Sequence, residues 1–464
     1  MTGRRRAWIA GPLILAGLIA MIGPQWQARS QSAPPGRSEV VFWHFWGGAD
    51  REVVERIVER FNQSQFQYWV RAVAVPGNNL DAKLFLAVAG QNPPDLVNQD
   101  DPVLADWYAR GVLQPVREFA GDAAAEALDR FLLPAAKRLV TVDGEMVAVP
   151  NGLDVRALYY NATLLRERGL RAPETLAEFD QLIGAVSPVE DAARTLFAFL
   201  PEPRRIWTWG YVFGGDFYDD ASGRARVDAP EIVAALEWMT RFSRDYGPDA
   251  IARFRQSEQS LPGKTFPLLP AGDDSAVGRY AFVLDGQWRT RDIESFAQSR
   301  RVRGLAVPEF GVGPVPPPPG GRARSGWVNG NFFVVPRGAN NAAGAWAFMR
   351  FWIGLDDAAQ AAQTCADGGW IPVSSAVIND AAFQDSLRRH PLFQTFVELA
   401  DSEQLFPFPQ SRGAMYFKRM LEAAAEEAVE HPERSVAEIL RVANQRIQDQ
   451  LDRLKSSSRA ADAR

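Results

Sequence analysis

The stretch "EVVFWHFWGGADREVVERIVERF" (39–61) decides the fold class, because its residue pattern changes at a pair of glycines. Its first half is rich in β-branched and aromatic residues, which favours a strand. Its second half places apolar residues from Val53 to Phe61 at helical spacing, behind Asp50 as the predicted N-cap. The stretch therefore predicts a strand, a glycine turn and a helix in direct succession.

The following segments repeat this alternation. Strands are predicted over 67–75 and 93–99, and a helix is predicted over 79–90. Strands that alternate with helices indicate an α/β protein with a largely parallel sheet, in which ligands bind beyond the carboxyl ends of the strands. The aromatic residues that end the first strand occupy such a position, which makes them candidates for a binding wall.

Turn residues divide the rest of the chain. A hairpin with an Asp-Gly turn is predicted over 141–150, and strands are predicted over 301–310 and 327–336. The Pro/Gly-rich segment 311–321 between these two strands is predicted to be an exposed, stiff loop. From about residue 413 onward the pattern is helical.

Length, charge and composition exclude several classes of protein. A chain of 464 residues is too long for one compact core and suits two lobes. Its net charge of −5 argues against nucleic acid as a partner. A single cysteine, Cys365, excludes an intramolecular disulfide framework, and the 3 histidines lack metal-ligand spacing. Neither a metal nor a cofactor is expected.

The N-terminus has the pattern of an export signal over 1–30. A basic start at Arg4 to Arg6 precedes a mostly apolar run and then polar sequence. An uncleaved membrane anchor is the alternative, since no clean small-x-small cleavage site follows the apolar run and "QARSQSA" (27–33) is the best candidate. Residues 31–38 are predicted to be a tether. The folded part is therefore expected to be periplasmic or extracellular, with anchoring to the cytoplasmic membrane left open.

Common catalytic motifs are absent from the sequence. It contains no GxSxG elbow, no GxxxxGK phosphate loop and no GxGxxG after a strand, and no catalytic residue is predicted. A pair of carboxylates for glycoside hydrolysis remains open, because 56 acidic residues always allow two of them to meet in space.

Tryptophan is the residue type that stands out, with 14 in the chain. Several lie in settings typical of loops or strand ends, namely Trp43, Trp46, Trp207, Trp209, Trp288, Trp327 and Trp370. Core packing is the ordinary explanation for any one of them. Flat aromatic faces beside Asp and Asn side chains also suit sugar rings and their hydroxyls, so the set indicates carbohydrate recognition in a solvated cleft.

Segments spread over nearly the whole chain resemble one known family, in the family's order. They are "PPDLV" (93–97), "ADWYARGVLQPV" (105–116), "DGEMVAVPNGLDVRALYYNATLLRERGLRAPETLAEF" (143–179), "GRYAFVLDGQW" (278–288), "GWVNGNFFVVPRGANNAAGAWAFMRFW" (326–352) and "GGWIPVSSAV" (368–377). The chain resembles the extracellular solute-binding proteins of ABC sugar importers, which include the maltose- and glycerol-3-phosphate-binding proteins. It departs from the family where "FVLDGQW" replaces the commoner Ala-Met before Gly-x-Trp, and in its proline-rich insertion.

This resemblance implies a two-lobed periplasmic binding protein fold of type II, with ligand bound between lobes that close about crossing hinge strands. Lobe one would comprise 39–150 and 302–362, lobe two 151–301 and 363–455, and 456–464 would be a disordered tail. The implied function is capture of a carbohydrate or polyol by a monomer, without catalysis, and delivery to the membrane permease of an ABC importer. A secreted or anchored carbohydrate-active enzyme and a ligand sensor that docks to a membrane receptor are the alternatives.

The candidate ligand contacts are His44, Trp46, Asp100, Asp154, Trp207, Trp209, Trp288, Asn329 and Trp370. Trp288 matches the tryptophan that stacks on a sugar ring in this family, and its alternative is to close a lobe's core. Asp154 is expected at the hinge with Arg156, where a surface ion pair is the alternative. Asp100, Asp101 and Asn329 are expected to bind sugar hydroxyls. Helix N-capping ahead of Pro102 is the alternative for the two aspartates and is favoured for Asp101.

Overall fold

The computed structural model of the protein describes residues 33–77, 80–186, 197–259, 266–270, 272 and 277–462. The predicted export segment (1–30) lies outside the described residues, as do the first two residues of the predicted tether. The rest of that tether is attached to the folded part. The Arg37 guanidinium donates hydrogen bonds to the carbonyl oxygens of Asn62 (2.7 Å) and Tyr68 (2.9 Å). Within the described ranges, no helix has the length and apolar character needed to cross a membrane.

The strands are β1 (Ser38–His44), β2 (Tyr68–Ala74), β3 (Leu96–Gln99), β4 (Leu113–Gln114), β5 (Thr141–Val142), β6 (Glu145–Met146), β7 (Val149–Asn161), β8 (Tyr218–Asp219), β9 (Arg224–Ala225), β10 (Phe282–Gly286), β11 (Phe310–Gly313), β12 (Gly326–Pro336) and β13 (Leu405–Phe406). The helices are α1 (Gly48–Ser64), α2 (Leu80–Ala89), α3 (Leu104–Ala109), α4 (Val116–Ala120), α5 (Asp122–Phe131), α6 (Pro134–Val140), α7 (Ala162–Glu167), α8 (Leu176–Val186), α9 (Ile206–Val212), α10 (Pro230–Tyr246), α11 (Pro248–Gln259), α12 (Arg289–Val302), α13 (Ala342–Ile353), α14 (Ala358–Gly368), α15 (Ser375–Ile378), α16 (Ala381–Arg389), α17 (Pro391–Ala400), α18 (Ala414–Glu430) and α19 (Val436–Asp462). A 3₁₀ helix spans Pro203–Arg205.

The opening stretch forms the predicted strand, turn and helix. Alternate residues of β1 are buried, from Val40 through Phe42 to His44. The turn depends on Gly48, whose φ of +56° lies in the left-handed region that strains a residue with a Cβ. The predicted cap is wrong by one turn: α1 begins at Gly48, so Asp50 lies inside its first turn. The carboxylate still faces the positive end of the helix dipole.

A mixed sheet with strand order β10-β7-β12-β3-β1-β2 runs through the molecule. β1 pairs in parallel with β2 and β3, as predicted. β12 pairs antiparallel with both β3 and β7, and β10 pairs antiparallel with β7. The predicted largely parallel sheet is therefore confirmed only around β1. Several helices and short strands separate β3 from β12 and β7 from β10 along the chain, so local helix–strand alternation does not determine how these strands pair.

Two long strands carry the chain between two hydrophobic cores. β7 contributes Leu153 and Val155 to the first core and Leu158 to the second. β12 contributes Val328 to the first core and Trp327 to the second. The first core also holds β1–β3, α1 and α13, and the second holds α8, α10, α18 and α19. The fold is two-lobed, with β7 and β12 as the crossing strands.

The predicted lobe boundary fails over residues 363–405. Buried side chains of this range, such as Ile371 and Phe396, belong to the first core and not to the second. The reason is that α17 packs on β7, where the Phe396 ring lies 5.5 Å from that of Tyr159. Phe396 and Tyr159 are far apart in the sequence. A lobe boundary drawn from the order of segments along the chain cannot include such a contact.

Three predictions of local structure are corrected. No strand covers 301–310, because α12 extends to Val302 and β11 starts only at Phe310. The loop 311–321 is only partly exposed, since Val315 is buried in the second core. The tail 456–464 is not disordered throughout, because α19 continues to Asp462. The Lys455 ammonium donates to the carbonyl oxygen of Gly223 (3.0 Å), which holds this end of the helix against the second lobe.

Candidate functional site

A cavity of about 970 Å³, here called the main cavity, lies against the crossing strands. Its walls come from β7, β10 and β12, from the 3₁₀ helix and from one side of α18. Charged side chains and aromatic rings line it, among them Arg156, Trp288 and Trp327. A cavity of this volume is large enough for a small-molecule ligand.

The two crossing strands present Asp154, Arg156, Trp327 and Asn329 side by side, a set here called the ribbon face. Residues two apart in a strand point to the same side of the sheet. Asp154 of β7 stands opposite Asn329 of β12, and the same register brings Arg156 opposite Trp327. The guanidinium carbon of Arg156 lies 3.9 Å from the centroid of the Trp327 ring. The polar pair of Asp154 and Asn329 therefore lies next to the pair formed by the cationic Arg156 and the aromatic Trp327.

Trp288 is the most exposed tryptophan at the main cavity, with 38% of its surface accessible. It follows β10 directly and precedes the first residue of α12, so the prediction that it emerges just past a strand end is confirmed. Its ring centroid lies 5.2 Å from the guanidinium carbon of Arg156. Arg156 thus contacts both Trp288 and Trp327. The stacking of a sugar on Trp288 stays a prediction.

Gln287 connects Trp288 to the ribbon face. Its buried amide nitrogen donates to Asp154 Oδ1 (2.6 Å) and to the carbonyl oxygen of Leu153 (3.1 Å). The carboxylate of Asp154 does not pair with Arg156, whose Nη1 donates instead to the backbone carbonyl of Asp154 (3.0 Å). The surface ion pair considered for these two residues is therefore not formed in the part of the chain that the structure describes.

Asp100 lies close to the ribbon face, in a small hollow that it lines with Asn329, Phe332 and Gln410. Burial, followed by the charges of Asp101 and Asp154, raises the pKa of Asp100 to about 7. Burial also raises the pKa of Asp154. Raised pKa values mean that these carboxyl groups hold a proton more readily than an exposed aspartate does. A protonated carboxyl group donates as well as accepts hydrogen bonds, as sugar hydroxyls do.

A buried ion cluster supports the strand end that precedes Trp288. Asp285 accepts hydrogen bonds from Arg205 Nη2 (3.1 Å) and Arg289 Nε (2.8 Å). Arg289 also donates to Asp292 (2.8 Å). Asp285 and Arg205 are both buried, so this network holds β10 and the start of α12 in one geometry.

Polar contacts join the two lobes beside the main cavity. The Lys418 ammonium lies 3.2 Å from Asp101 Oδ1, and the carboxylate of Asp106 accepts from the backbone N–H of Gly413 (3.0 Å). Both acids lie near α3 in the first lobe, whereas α18 packs in the second core. The predicted capping role of Asp101 is wrong: α3 starts at Leu104 and its N-cap makes no side-chain hydrogen bond.

The structure separates three of the predicted contacts from the main cavity. Trp46 and Trp370 form a buried triad with Trp352, with ring centroids 5.3 to 5.9 Å apart. His44 is 1% exposed beside Trp46, and burial lowers its pKa to about 4, so it is neutral at physiological pH. The expected binding wall at the end of β1 is instead an internal cluster. Large aromatic side chains fill the space where the first lobe meets β7.

Trp207 and Trp209 lie on α9 and not in a loop or at a strand end, which corrects the setting predicted for them. Both are fully buried in the second core. The Trp209 ring lies 4.3 Å from that of Trp238, and the Trp207 ring lies 4.5 Å from that of Phe217. Trp207 is a core residue only, whereas Trp209 packs in the same core and also lines the main cavity.

The predicted contacts that come together are Asp100, Asp154, Trp288 and Asn329. Sequence reasoning missed Arg205, Asp285, Gln287 and Lys418. Asp285 and Gln287 flank the glycine of "LDGQW", so the strand-end argument that selected Trp288 extends to them. Arg205 and Lys418 had no such signal, because only the folded chain brings their helices to the crossing strands.

The two-lobed fold and the cavity against its crossing strands define a class, the two-lobed binding proteins. The family model described as bacterial extracellular solute-binding protein matches residues 56–391. The chain belongs to this family.

Curated relatives match over part of their length. An arabinooligosaccharide-binding protein of Halalkalibacterium halodurans is 24% identical over 256 residues, which are 54% of this chain and 52% of the relative. The sn-glycerol-3-phosphate-binding periplasmic protein UgpB of Agrobacterium fabrum is 22% identical over 221 residues, or 45% of this chain and 50% of the relative. The match therefore spans about half the length of these relatives.

Solved structures match almost the whole described fold. A structure titled CpMnBP1 with mannotriose bound has a TM-score of 0.70 at 22% identity, covering 88% of this chain and 100% of that chain. The sugar-binding protein MalE of Xanthomonas citri has a TM-score of 0.69 at 19% identity, covering 90% of this chain and 98% of that chain. At this level of identity the likeness establishes the fold.

Proposed function

We propose that this protein captures a carbohydrate or related polyol in the cleft between its lobes and delivers it to an ABC importer. It acts as a monomer, outside the cytoplasmic membrane, and its bound ligand reaches a membrane permease. The segment 1–30 directs export and is either cleaved or retained as an anchor. The bound solute leaves unchanged, because the protein acts as a carrier and not as an enzyme.

The observation that carries this proposal is the exposed Trp288 ring at the main cavity, next to the ribbon face. An indole face suits the C–H face of a sugar ring. Asp154, Asn329 and Asp100 lie nearby with carboxyl and amide groups that suit hydroxyls. Aromatic and polar groups thus converge at and beside a cavity on the crossing strands, which supports capture of a small polar solute.

Family membership supports the same proposal. Proteins that match this chain in sequence or structure are named for binding arabinooligosaccharide, sn-glycerol-3-phosphate and sugar. They are binding proteins and not enzymes, which supports a carrier over the carbohydrate-active enzyme considered as an alternative. A carrier and a receptor-docking sensor share the same binding step, and transport by cells that lack only this gene separates them.

Calorimetric titration and thermal shift against a ligand panel test the proposal. The panel contains neutral and acidic mono-, di- and oligosaccharides, polyols and glycerol phosphates, with amino acids and dipeptides as a different ligand class. A carbohydrate or polyol ligand should raise the melting temperature, because it binds only the native state. Binding of an amino acid or peptide, with no response to any carbohydrate or polyol, would reject the proposal.

A further inference from the structure

Arg156 is a basic side chain of the main cavity that contacts two tryptophan rings. Its guanidinium carbon lies 3.9 Å from the Trp327 ring centroid and 5.2 Å from that of Trp288, so the group is held between two indoles at the main cavity. Its Nη1 donates to the backbone carbonyl of Asp154. Its Nε is buried and has no acceptor within the described part of the chain.

Four other basic side chains of the main cavity pair with carboxylates, whereas Arg255 donates to the carbonyl oxygen of Pro201 (2.8 Å). The ion pairs are Arg204 with Glu202 (2.6 Å), Arg205 with Asp285 (3.1 Å), Arg289 with Asp285 (2.8 Å) and Lys418 with Asp101 (3.2 Å). Arg156 forms no ion pair with any described residue. The nearest acids are already engaged, since Asp154 accepts from Gln287 and Asp285 accepts from two arginines.

An unpaired guanidinium in a partly closed cavity is costly, because burial removes water without supplying a counter-charge. Burial, followed by the neighbouring Arg205, lowers the pKa of Arg156 to about 10, so the group remains charged at neutral pH. Arg205 pairs with Glu202 and Asp285, and Arg289 pairs with Asp285 and Asp292. No carboxylate of the described residues lies within ion-pair distance of the Arg156 guanidinium.

We infer that the ligand carries an anionic oxygen group, a carboxylate or a phosphate, that binds the Arg156 guanidinium while an adjoining sugar or polyol unit lies on Trp288. The inference rests on the proposed function and narrows it to acidic carbohydrates and polyol phosphates. A planar guanidinium stacked on an indole keeps its outer N–H groups in the ring plane, where they suit two oxygens of one anion. A neutral sugar would leave the Arg156 guanidinium without a counter-charge in direct contact.

Paired ligands test this inference on the full-length mature protein. Galacturonate and digalacturonate are titrated against galactose and galactobiose, and glucose 6-phosphate and glycerol 3-phosphate against glucose and glycerol. The galacturonate pairs test for binding of a carboxylate, and the phosphate pairs test for binding of a phosphate. We expect an acidic ligand to bind roughly 10- to 100-fold more tightly than its neutral counterpart, with an affinity that falls as salt is raised.

Variants assign the preference to Arg156. Arg156→Gln should remove the preference for the acidic ligand, and Arg156→Lys should retain part of it, because lysine keeps the charge without the planar fork. Arg71→Gln removes the same charge from β2, where Arg71 pairs with Glu39 (2.7 Å), and should leave the preference unchanged. If Arg156→Gln does not fold, the lysine variant and the salt dependence of the unmodified protein decide.

The two proposals fail in different ways. Neutral sugars that bind as tightly as their acidic counterparts would overturn the anionic inference and leave carbohydrate capture intact. The same holds if Arg156→Gln keeps the acidic preference. Binding of neither carbohydrates nor polyol phosphates, with binding of an amino acid or peptide, would overturn both.

Discussion

The position of Trp288 is set by the end of strand β10. β10 stops at Gly286, and the ion cluster around Asp285 holds the following turn, so the indole projects into the main cavity. Because 38% of its surface is exposed, the ring contributes less to folding than a buried tryptophan does. Its main contribution is expected in the bound state.

Truncation of Trp288 should therefore weaken ligand binding and leave folding largely intact. We expect Trp288→Ala to lose about 1–3 kcal/mol of binding free energy and Trp288→Phe to recover part of it, because phenylalanine keeps a flat face. Calorimetry gives the affinities and thermal unfolding gives the stabilities. A large loss of stability in the alanine variant, with unchanged affinity in its folded fraction, would identify Trp288 as a core residue.

Asp100 should make stability depend on pH. Its pKa is raised from 3.8 to about 7 by burial first, so the native state binds a proton that the unfolded chain releases at lower pH. Its protonation therefore stabilises the fold below about pH 4, and this contribution is lost as pH rises through about 7. Asp100→Asn should raise the melting temperature more at about pH 8 than at about pH 4, since asparagine has no such titration. Equal shifts at both pH values in thermal scans would contradict a raised pKa.

At the scale of elements, the tryptophan triad fixes how the first lobe meets the crossing strands. Trp46 follows β1, Trp352 lies on α13, and Trp370 follows α14 next to β7. The Trp46 and Trp352 rings are stacked with 10° between their planes, and Trp352 Nε1 donates to the carbonyl oxygen of Asn151 (3.2 Å). The triad thus links the turn after β1 to the beginning of β7.

Truncation inside this triad should cost folding free energy and not ligand affinity. Trp46 is 7% exposed, so Trp46→Ala leaves a cavity between packed rings, and we expect a loss of about 3–5 kcal/mol of unfolding free energy. Denaturant unfolding measures this loss, and titration of the folded fraction measures affinity. Trp288→Ala serves as the matched control, with the opposite pattern expected. If Trp46→Ala instead kept native stability and lost ligand affinity, Trp46 would be a ligand contact and not a core residue.

At the scale of the whole molecule, the contacts between Asp101 and Lys418 and between Asp106 and Gly413 favour apposed lobes. Side chains of the first pair are partly exposed, 43% for Asp101 and 25% for Lys418, so this pair contributes less than about 1 kcal/mol. A contribution of that size still changes the ratio of open to closed molecules several-fold.

Loss of the Asp101 contact should therefore shift the ligand-free protein toward an open form. We expect Asp101→Asn to increase the radius of gyration measured by small-angle scattering, and saturating ligand to restore the compact value. Arg166→Gln is the control, because Arg166 pairs with Glu309 (2.6 Å) away from the lobe boundary. A ligand-free radius identical in both variants and the unmodified protein would exclude a role for this pair in closure.

Local pattern was enough to predict the elements on which the fold rests. The change at Gly47 and Gly48 from a strand pattern to helical spacing predicted β1 and α1, and the Asp-Gly turn predicted the hairpin of β5 and β6. The break after "FVL" likewise predicted that Trp288 follows a strand. These features depend on residues that are neighbours in the chain, so short-range periodicity and turn chemistry suffice to find them.

Only the tertiary structure decided which side chains are buried and which residues contact each other. Trp46 and Trp288 both follow a strand beside a glycine, yet one is 7% and the other 38% exposed, because α13 and α14 bring Trp352 and Trp370 against the first. The register of β7 against β12 sets Asp154 opposite Asn329 and places Arg156 on Trp327. Such pairs join residues more than a hundred positions apart, and which of them meet depends on the packing of the whole chain, which no local pattern contains.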